Sequence, residues 1–485
     1  MLYHLLFGTF VSTHAIRTIV VGSGPGGTGF IKRALEYDDC DDTFEWLEEG
    51  GDDFMILDWP AEYTSPESTK HMKFINNTSS GLLKAIRFSG FGGGATRNSG
   101  GPLTLIPSSD ERVQTALEKH GEDFLMEELQ SLPISDPTSD EWIQRYTDAG
   151  YEKSPHFMTD RQFGQSKRVG YGATTFGNGT RTQVAKSLLN SDRVHLSLNT
   201  SVKRVIFGTN NNATGVELMN GTIVDGDRVI LAAGVFGTYE LLIRSGIGSK
   251  KDLTTIGIEP IVIDESVGKH IGDDVGILFL HKGGQWESNS ASHGADIIAA
   301  HENDFSVTHW GKTAYDSLLL GTELRFENLW LNKFFRRVFE GTSIIKIDLP
   351  STYSSSISMQ DDGTILFDNN DKFQNERCVP NTEFDILKQS RRPPIFVYAA
   401  AFIFGIIYST PDIKCSGGHL VSNFHYHGGT QGLTQSDFSV KDIHGLYISD
   451  ASVTDGYSFG APTTNIYMIG FAVADAIYGN KTVIN

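Results

Sequence analysis

The apolar run Ile16 to Val21 (IRTIVV) predicts a strand, and it runs into GSGPGGTGFIKRALE, where the apolar spacing changes to that of a helix. A second apolar run, Phe54 to Leu57, predicts the next strand and ends at Asp58. The acidic stretch between them, Glu36 to Asp53, reads as a solvated surface insertion. From Pro107 the pattern becomes helical: Ser108 with Glu111 and Thr138 with Glu141 have the spacing of capping boxes. Val113, Leu117, Phe124 and Leu125 give the first of these segments an apolar face. After Gly170 come a helix near Thr182 to Leu189 and strands near Val194 to Leu198, Val202 to Phe207, Ala213 to Leu218 and Arg228 to Ala232. The last of these, VILAA, lacks alternation and predicts a parallel strand covered on both faces. Residues 277–424 show mixed alternating strands, the run Ile395 to Tyr408 reading as core strands too short to cross a membrane, and residues 440–477 read as strand, loop and final helix.

The chain has 485 residues, enough for two domains, and a net charge of −19, which argues against nucleic acid or an anionic membrane as partner. Its first fifteen residues, MLYHLLFGTFVSTHA, loosely follow a secretory leader, and Asn-x-Ser/Thr occurs at Asn76, Asn77, Asn178, Asn199, Asn212, Asn220 and Asn480. Together they point to a secreted glycoprotein. The three cysteines, Cys40, Cys378 and Cys415, have no metal-ligand spacing, and a secreted chain would permit a Cys378 to Cys415 disulfide.

Composition leaves the chemistry open; the glycine loop narrows it. Gly22, Gly24 and Gly27 stand in G-x-G-x-x-G register between a strand and a helix. Unpaired amides and the positive dipole at a helix N-terminus bind a pyrophosphate, and glycines let the backbone come close to it. Asp58 is the expected acceptor for the adenosine ribose hydroxyls.

Four later stretches bear on the kind of dinucleotide. GFGGGATRN (Gly90 to Asn98) resembles the first signature of the glucose-methanol-choline (GMC) oxidoreductases, and GTYELLIRSGIG (Gly237 to Gly248) is similar to the second. GLYISDASV (Gly445 to Val453) looks like the family's late flavin-contacting strand, and VGKHIGDD at Val267 resembles its V-G-x-N-L-x-D-H. The resemblance implies FAD, with Gly93 and Gly94 passing close to the flat isoalloxazine, Asn98 near its reactive edge, and Val202, Ala233, Asp450 and Ala451 beside the cofactor. Arg97 occupies the place where some members carry a histidine bonded to FAD, so the cofactor is expected to be noncovalent. The implied fold is α/β: an FAD-binding Rossmann-like domain from residues 16–106, 167–276 and 425–485, with an inserted α+β substrate domain. In that domain 107–166 is helical and 277–424 supplies an antiparallel sheet.

FHYHGG (Phe424 to Gly429) is similar to the H-Y-H-G-G of the family's plant branch that includes mandelonitrile lyase. Aligning Gly428 with the family glycine makes His425 the base that removes a hydroxyl proton as hydride leaves for the flavin. His427, aimed to the other face, is then a structural neighbour. The implied activity is oxidation of a small alcohol, with O2 or another acceptor reoxidising the flavin. A hydroxynitrile lyase with structural FAD, or a flavin-binding protein without turnover, are the alternatives. The reading without turnover has a particular motive: the family's second catalytic His or Asn falls on Ala461, leaving Thr463, Thr464 or Asn465 as substitutes.

Overall fold

The computed structural model describes residues 15–38, 40–52, 72–78, 85–96, 105–129, 137–156, 159–160, 162, 165–172, 176–177, 180–282, 297–301, 305–310, 337–338, 342–349, 355–369, 378–379, 381–389, 392–403, 421–455 and 460–479. Residues 1–14 of the expected leader, the run Phe54 to Leu57, Asp58, Arg97, Asn98, Asn178, Cys415 and Asn480 lie outside these described residues.

Five parallel strands form the sheet that carries the glycine loop. In chain order they are β1 (Arg17–Val21), β2 (Thr43–Leu47), β3 (Val194–Ser197), β4 (Arg228–Leu231) and β5 (Leu446–Ile448). Their order across the sheet is β5-β4-β1-β2-β3, with Val21 opposite both Leu231 and Leu47. Ile19 and Val20 of β1 and Val229 to Leu231 of β4 are buried, as apolar runs without alternation require of central parallel strands. Helices α1 (Pro25–Leu35) and α3 (Thr463–Tyr478) pack against each other closely enough that a Cβ on Gly29 would meet the Tyr467 carbonyl at 2.3 Å. A third helix, α2 (Gly234–Arg244), follows β4.

The acidic stretch Glu36 to Asp53 is not a surface insertion, because it contains β2. Phe44 and Trp46 are buried and the Trp46 indole donates to the Gly22 carbonyl at 3.0 Å. Only five residues carry the apolar alternation, and the flanking acids dilute it. One of those acids, Asp42, is itself buried and paired with Arg228 at 2.9 Å.

A second sheet has the order 421–422, 275–282, 342–349, 305–310, 297–301, 168–171, 152–153, antiparallel throughout except for its last pair. Trp142, Ile143 and Tyr146 of the helix Pro137–Asp148 and Phe384 and Leu387 of the helix Asn381–Lys388 share a core with Ile277, Phe279, Ile345 and Ile347 of this sheet. The sheet therefore recruits strands from 152–171 as well as from the expected 277–424, a non-local pairing no local pattern records. A four-stranded sheet joins 356–359, 365–368, 72–77 and 85–88.

Three local readings are corrected. The cap before Glu111 is Asp110, whose carboxylate accepts from the Arg112 amide; Ser108 instead accepts from the Asp110 amide. Thr138 lies inside its helix, which starts at Pro137. The run beginning at Ile395 is a helix, Ile395–Ile403, with Ile395 and Phe396 exposed: an apolar run of this length suits either structure, and three alanines favour the helix. Cys378 is disulfide-bonded and Cys40 is a buried free thiol. Among the described residues no helix is long and apolar enough to cross a membrane, and no group of three or more His, Cys, Asp or Glu could hold a metal ion.

Candidate active site and cofactor cradle

One cavity of about 600 Å³ runs from the C-terminal ends of the parallel strands to the antiparallel sheet. At one end the loop between β1 and α1 turns through Gly22, whose φ of +103° and approach to the Ala232 carbonyl (a Cβ would sit 2.3 Å from it) leave no alternative to glycine. Gly27 lies behind the cavity wall, against the Gly22 carbonyl. Gly24, Gly94 and Gly234 differ: a Cβ built on any of them meets nothing within 4 Å, and all three line the cavity. Side chains there would fill space that a bound group needs. The N-terminus of α1 opens at Gly24, so its free amides face the same space.

Glu48, immediately after β2, clamps this loop and was not anticipated. Its Oε2 accepts from the amide and hydroxyl of Ser23 at 3.0 and 2.6 Å, and its Oε1 accepts from the amides of Gly50 and Gly90, both at 2.9 Å. Ser23 Oγ also accepts from the Gly92 amide at 3.0 Å, tying in the turn that leads to Gly93 and Gly94. Glu48 follows Gly27 by about 20 residues, the separation at which a dinucleotide-binding acid is expected after such a loop; that count was the available signal, masked by reading 36–53 as an insertion. Next to it Glu49 and Glu240 share Arg87 at 2.6 and 2.9 Å; burial works to raise the Glu49 carboxyl, but Arg87 and Lys73 beside it hold it below its usual range.

Val202, Ala233 and Ala451 line the cavity, as does Asp450. The Asp450 carboxylate accepts from the Gly234 amide (3.0 Å), the Thr238 hydroxyl (2.6 Å) and the Ser452 amide (2.9 Å), so it joins the start of α2 to the turn Ala451–Val453. Burial raises its pKa, opposed by these bonds.

The other end of the cavity holds His425. Phe424 before it has φ +60°, a left-handed conformation rare for a bulky residue, stabilised by its amide donating to Ser422 Oγ at 3.0 Å. The His425 amide donates to Asp273 Oδ1 at 3.0 Å, and its ring Nδ1 lies 3.2 Å from Asp274 Oδ2. Both aspartates are fully buried. His427 is buried too, its Nδ1 2.9 Å from the His425 carbonyl; it does not line the cavity and its backbone pairs with Gly272 in both directions. Lys346 and Asp348, 2.9 Å apart, and Asn423 complete this polar wall, none of them legible beforehand. Ala461 does line the cavity. Of its three candidate substitutes only Thr463 does so, while Asn465 is committed to the Ile106 carbonyl at 2.7 Å.

These features define a class: an α/β protein with a dinucleotide cradle facing a histidine-bearing polar wall on an antiparallel sheet. Residues 122–275 match the family model of the GMC oxidoreductases. The chain is 24% identical over 356 residues to a pyranose dehydrogenase of Agaricus xanthodermus, covering 60% of this chain and 58% of that one. It is 30% identical over 207 residues to dehydrogenase eriK of Hericium erinaceus, covering 39% of this chain and 33% of the relative. The chain thus spans less than two thirds of either protein. Its fold superposes on pyridoxine 4-oxidase from Mesorbium loti with a TM-score of 0.67 at 13% identity, over 96% of this chain and 99% of the other. The segment match and the relatives support placing this chain with the GMC oxidoreductases.

Proposed function

We propose that the chain is an FAD-dependent oxidoreductase that oxidises the CH–OH group of a small alcohol, with His425 as the base. The observation that carries this reading is that a single cavity joins the glycine cradle to a histidine whose other ring nitrogen is held by a buried carboxylate. The residues fit the cofactor: the loop at Gly22 to Gly24 and the N-terminus of α1 would hold its pyrophosphate, Glu48 its ribose end, and Gly93 and Gly94 would admit the flat ring. Bound there, FAD would supply the two-electron acceptor for hydride leaving the carbinol carbon. His425 takes the hydroxyl proton of the alcohol, and the polar wall of Lys346, Asp348 and Asn423 orients the remainder of the substrate. O2 or a second acceptor completes the cycle.

The test is anaerobic mixing of the purified, yellow holoprotein with primary, secondary and aromatic alcohols and a pyranose such as glucose. Loss of the visible band with one of them supports oxidation of a CH–OH donor. A bound chromophore that none of them bleaches, with mandelonitrile cleaved at undiminished absorbance, would replace this reading by a lyase.

A further inference from the structure

Two consecutive carboxylates hold one histidine, and they hold it differently. Asp273 holds the loop that carries the ring: its Oδ1 accepts from the His425 amide and its Oδ2 from the Ser422 hydroxyl at 2.6 Å. Asp274 faces the ring. Its Oδ2 meets His425 Nδ1, while its Oδ1 is buried without a hydrogen-bond partner among the described residues. An ionised carboxylate at zero exposure is costly unless a positive or strongly donating group faces it, and His425 is the group that does. The carbonyl of Asp274 also accepts from the Asn423 amide at 3.1 Å, so the loop carrying His425 is stitched to the strand end carrying its partner.

We propose that Asp274 is the positioning residue for His425: its carboxylate accepts from Nδ1–H, fixes that tautomer, and leaves the Nε2 lone pair for the substrate hydroxyl. This rests on the reading of His425 as base. When the hydroxyl O–H bond breaks and the proton joins Nε2, the imidazolium that forms lies against a carboxylate that was already aligned. The need is specific to this chain, because Ala461 offers no hydrogen-bonding side chain where the family resemblance places a second catalytic group.

The groups acting on Asp274 are Asp273 beside it, Asp348 from the strand Thr342–Leu349, and His425. Lys346 offsets part of the Asp348 charge at 2.9 Å from its Oδ1, and the Asn423 side-chain amide donates to the same oxygen at 2.7 Å. Burial is the largest influence and pushes Asp274 up to about 6, with both aspartates adding to it and His425 opposing. Above that pH the carboxylate is the acceptor; below it the carboxyl takes up a proton and the Nδ1–H tautomer loses its anchor.

The experiment uses 15N-histidine-labelled holoprotein at about pH 8, where a free imidazole is neutral. His425 is assigned by the resonances lost in H425Q, and D274N is compared for tautomer, kcat, KM and pH profile on the alcohol that bleaches the wild type. The wild type is expected to show Nδ1 protonated. D274N should lose that tautomer and on the order of 10²-fold in kcat, with KM and bound chromophore little changed and the acid limb of the profile displaced. A wild-type Nε2–H tautomer would overturn the proposal even if D274N failed to fold. So would a D274N protein with unchanged tautomer and rate. Full activity in H425Q would instead overturn the base assignment, with the tautomer result still deciding the Asp274 contact.

Discussion

Glu48 joins β2, the glycine loop and the Gly90 turn through four hydrogen bonds accepted by one carboxylate. Glu48→Ala should therefore cost cofactor before it costs fold: purified protein with a native circular dichroism spectrum and a visible-to-280 nm absorbance ratio reduced several-fold. Retention of full chromophore would remove Glu48 from the cradle. His425→Ala should do the opposite, keeping the chromophore and lowering kcat by about 10²–10⁴, the usual contribution of a positioned general base. Asp58 was expected to do the work assigned here to Glu48. Asp58 lies outside the described residues, whereas the strand that precedes Glu48, β2, lies beside β1.

At the scale of elements, the start of α1 serves two purposes that substitutions should separate. Gly24 has φ −63° and ψ 178°, open to any residue, and its Cβ direction is empty cavity. Gly24→Val should leave the melting temperature within a few degrees and abolish cofactor retention. Two residues on, a Cβ on Gly26 would sit 1.8 Å from the Ser449 carbonyl, a backbone atom at the end of β5 that cannot swing aside. Gly26→Ala should thus destabilise by about 1–3 kcal/mol or more, read as a fall in the urea midpoint. If both variants lowered stability equally, the open direction at Gly24 would be wrong. The loop of Gly22, Gly24 and Gly27 was legible while Ile395–Ile403 was not, because a glycine loop between strand and helix is a local constraint, whereas a short apolar run takes its secondary structure from what it packs against.

Over the whole molecule, the core of the antiparallel sheet contains polar groups that the proposed chemistry does not use. Tyr146 OH lies 3.0 Å from His309 Nε2, and His281 and His309 both contact Trp142. Burial lowers His281 to about 4 and His309 well below its ordinary value. A histidine whose folded pKa is depressed stabilises nothing by its charge: stability is complete above the unfolded value near 6.5. It falls as pH drops from there towards 4, because the unfolded chain binds the proton first. His281 alone accounts for about 3 kcal/mol across that window. Thermal unfolding between pH 7.5 and 4.5 should show this loss, and His281→Leu should flatten it; a melting temperature independent of pH over the range would refute the assignment.

The strand at Ile16, the glycine loop, the buried VILAA strand and the final helix could be read from sequence because each is specified by neighbours in the chain: an apolar run, a turn that only glycine permits, a helical period. That His425 lines the cavity and His427 does not agrees with the side of the chain that the family resemblance, aligned on Gly428, implied. Tertiary structure alone decided that Thr43–Leu47 is a sheet strand, that residues 152–171 belong to the antiparallel sheet, and that Asp273 and Asp274 grip the histidine from about 150 positions earlier in the chain. Pairing of strands and of charges across such separations depends on where the backbone returns in space, and a carboxylate that will be buried against an imidazole looks, in the sequence, like any other acidic residue.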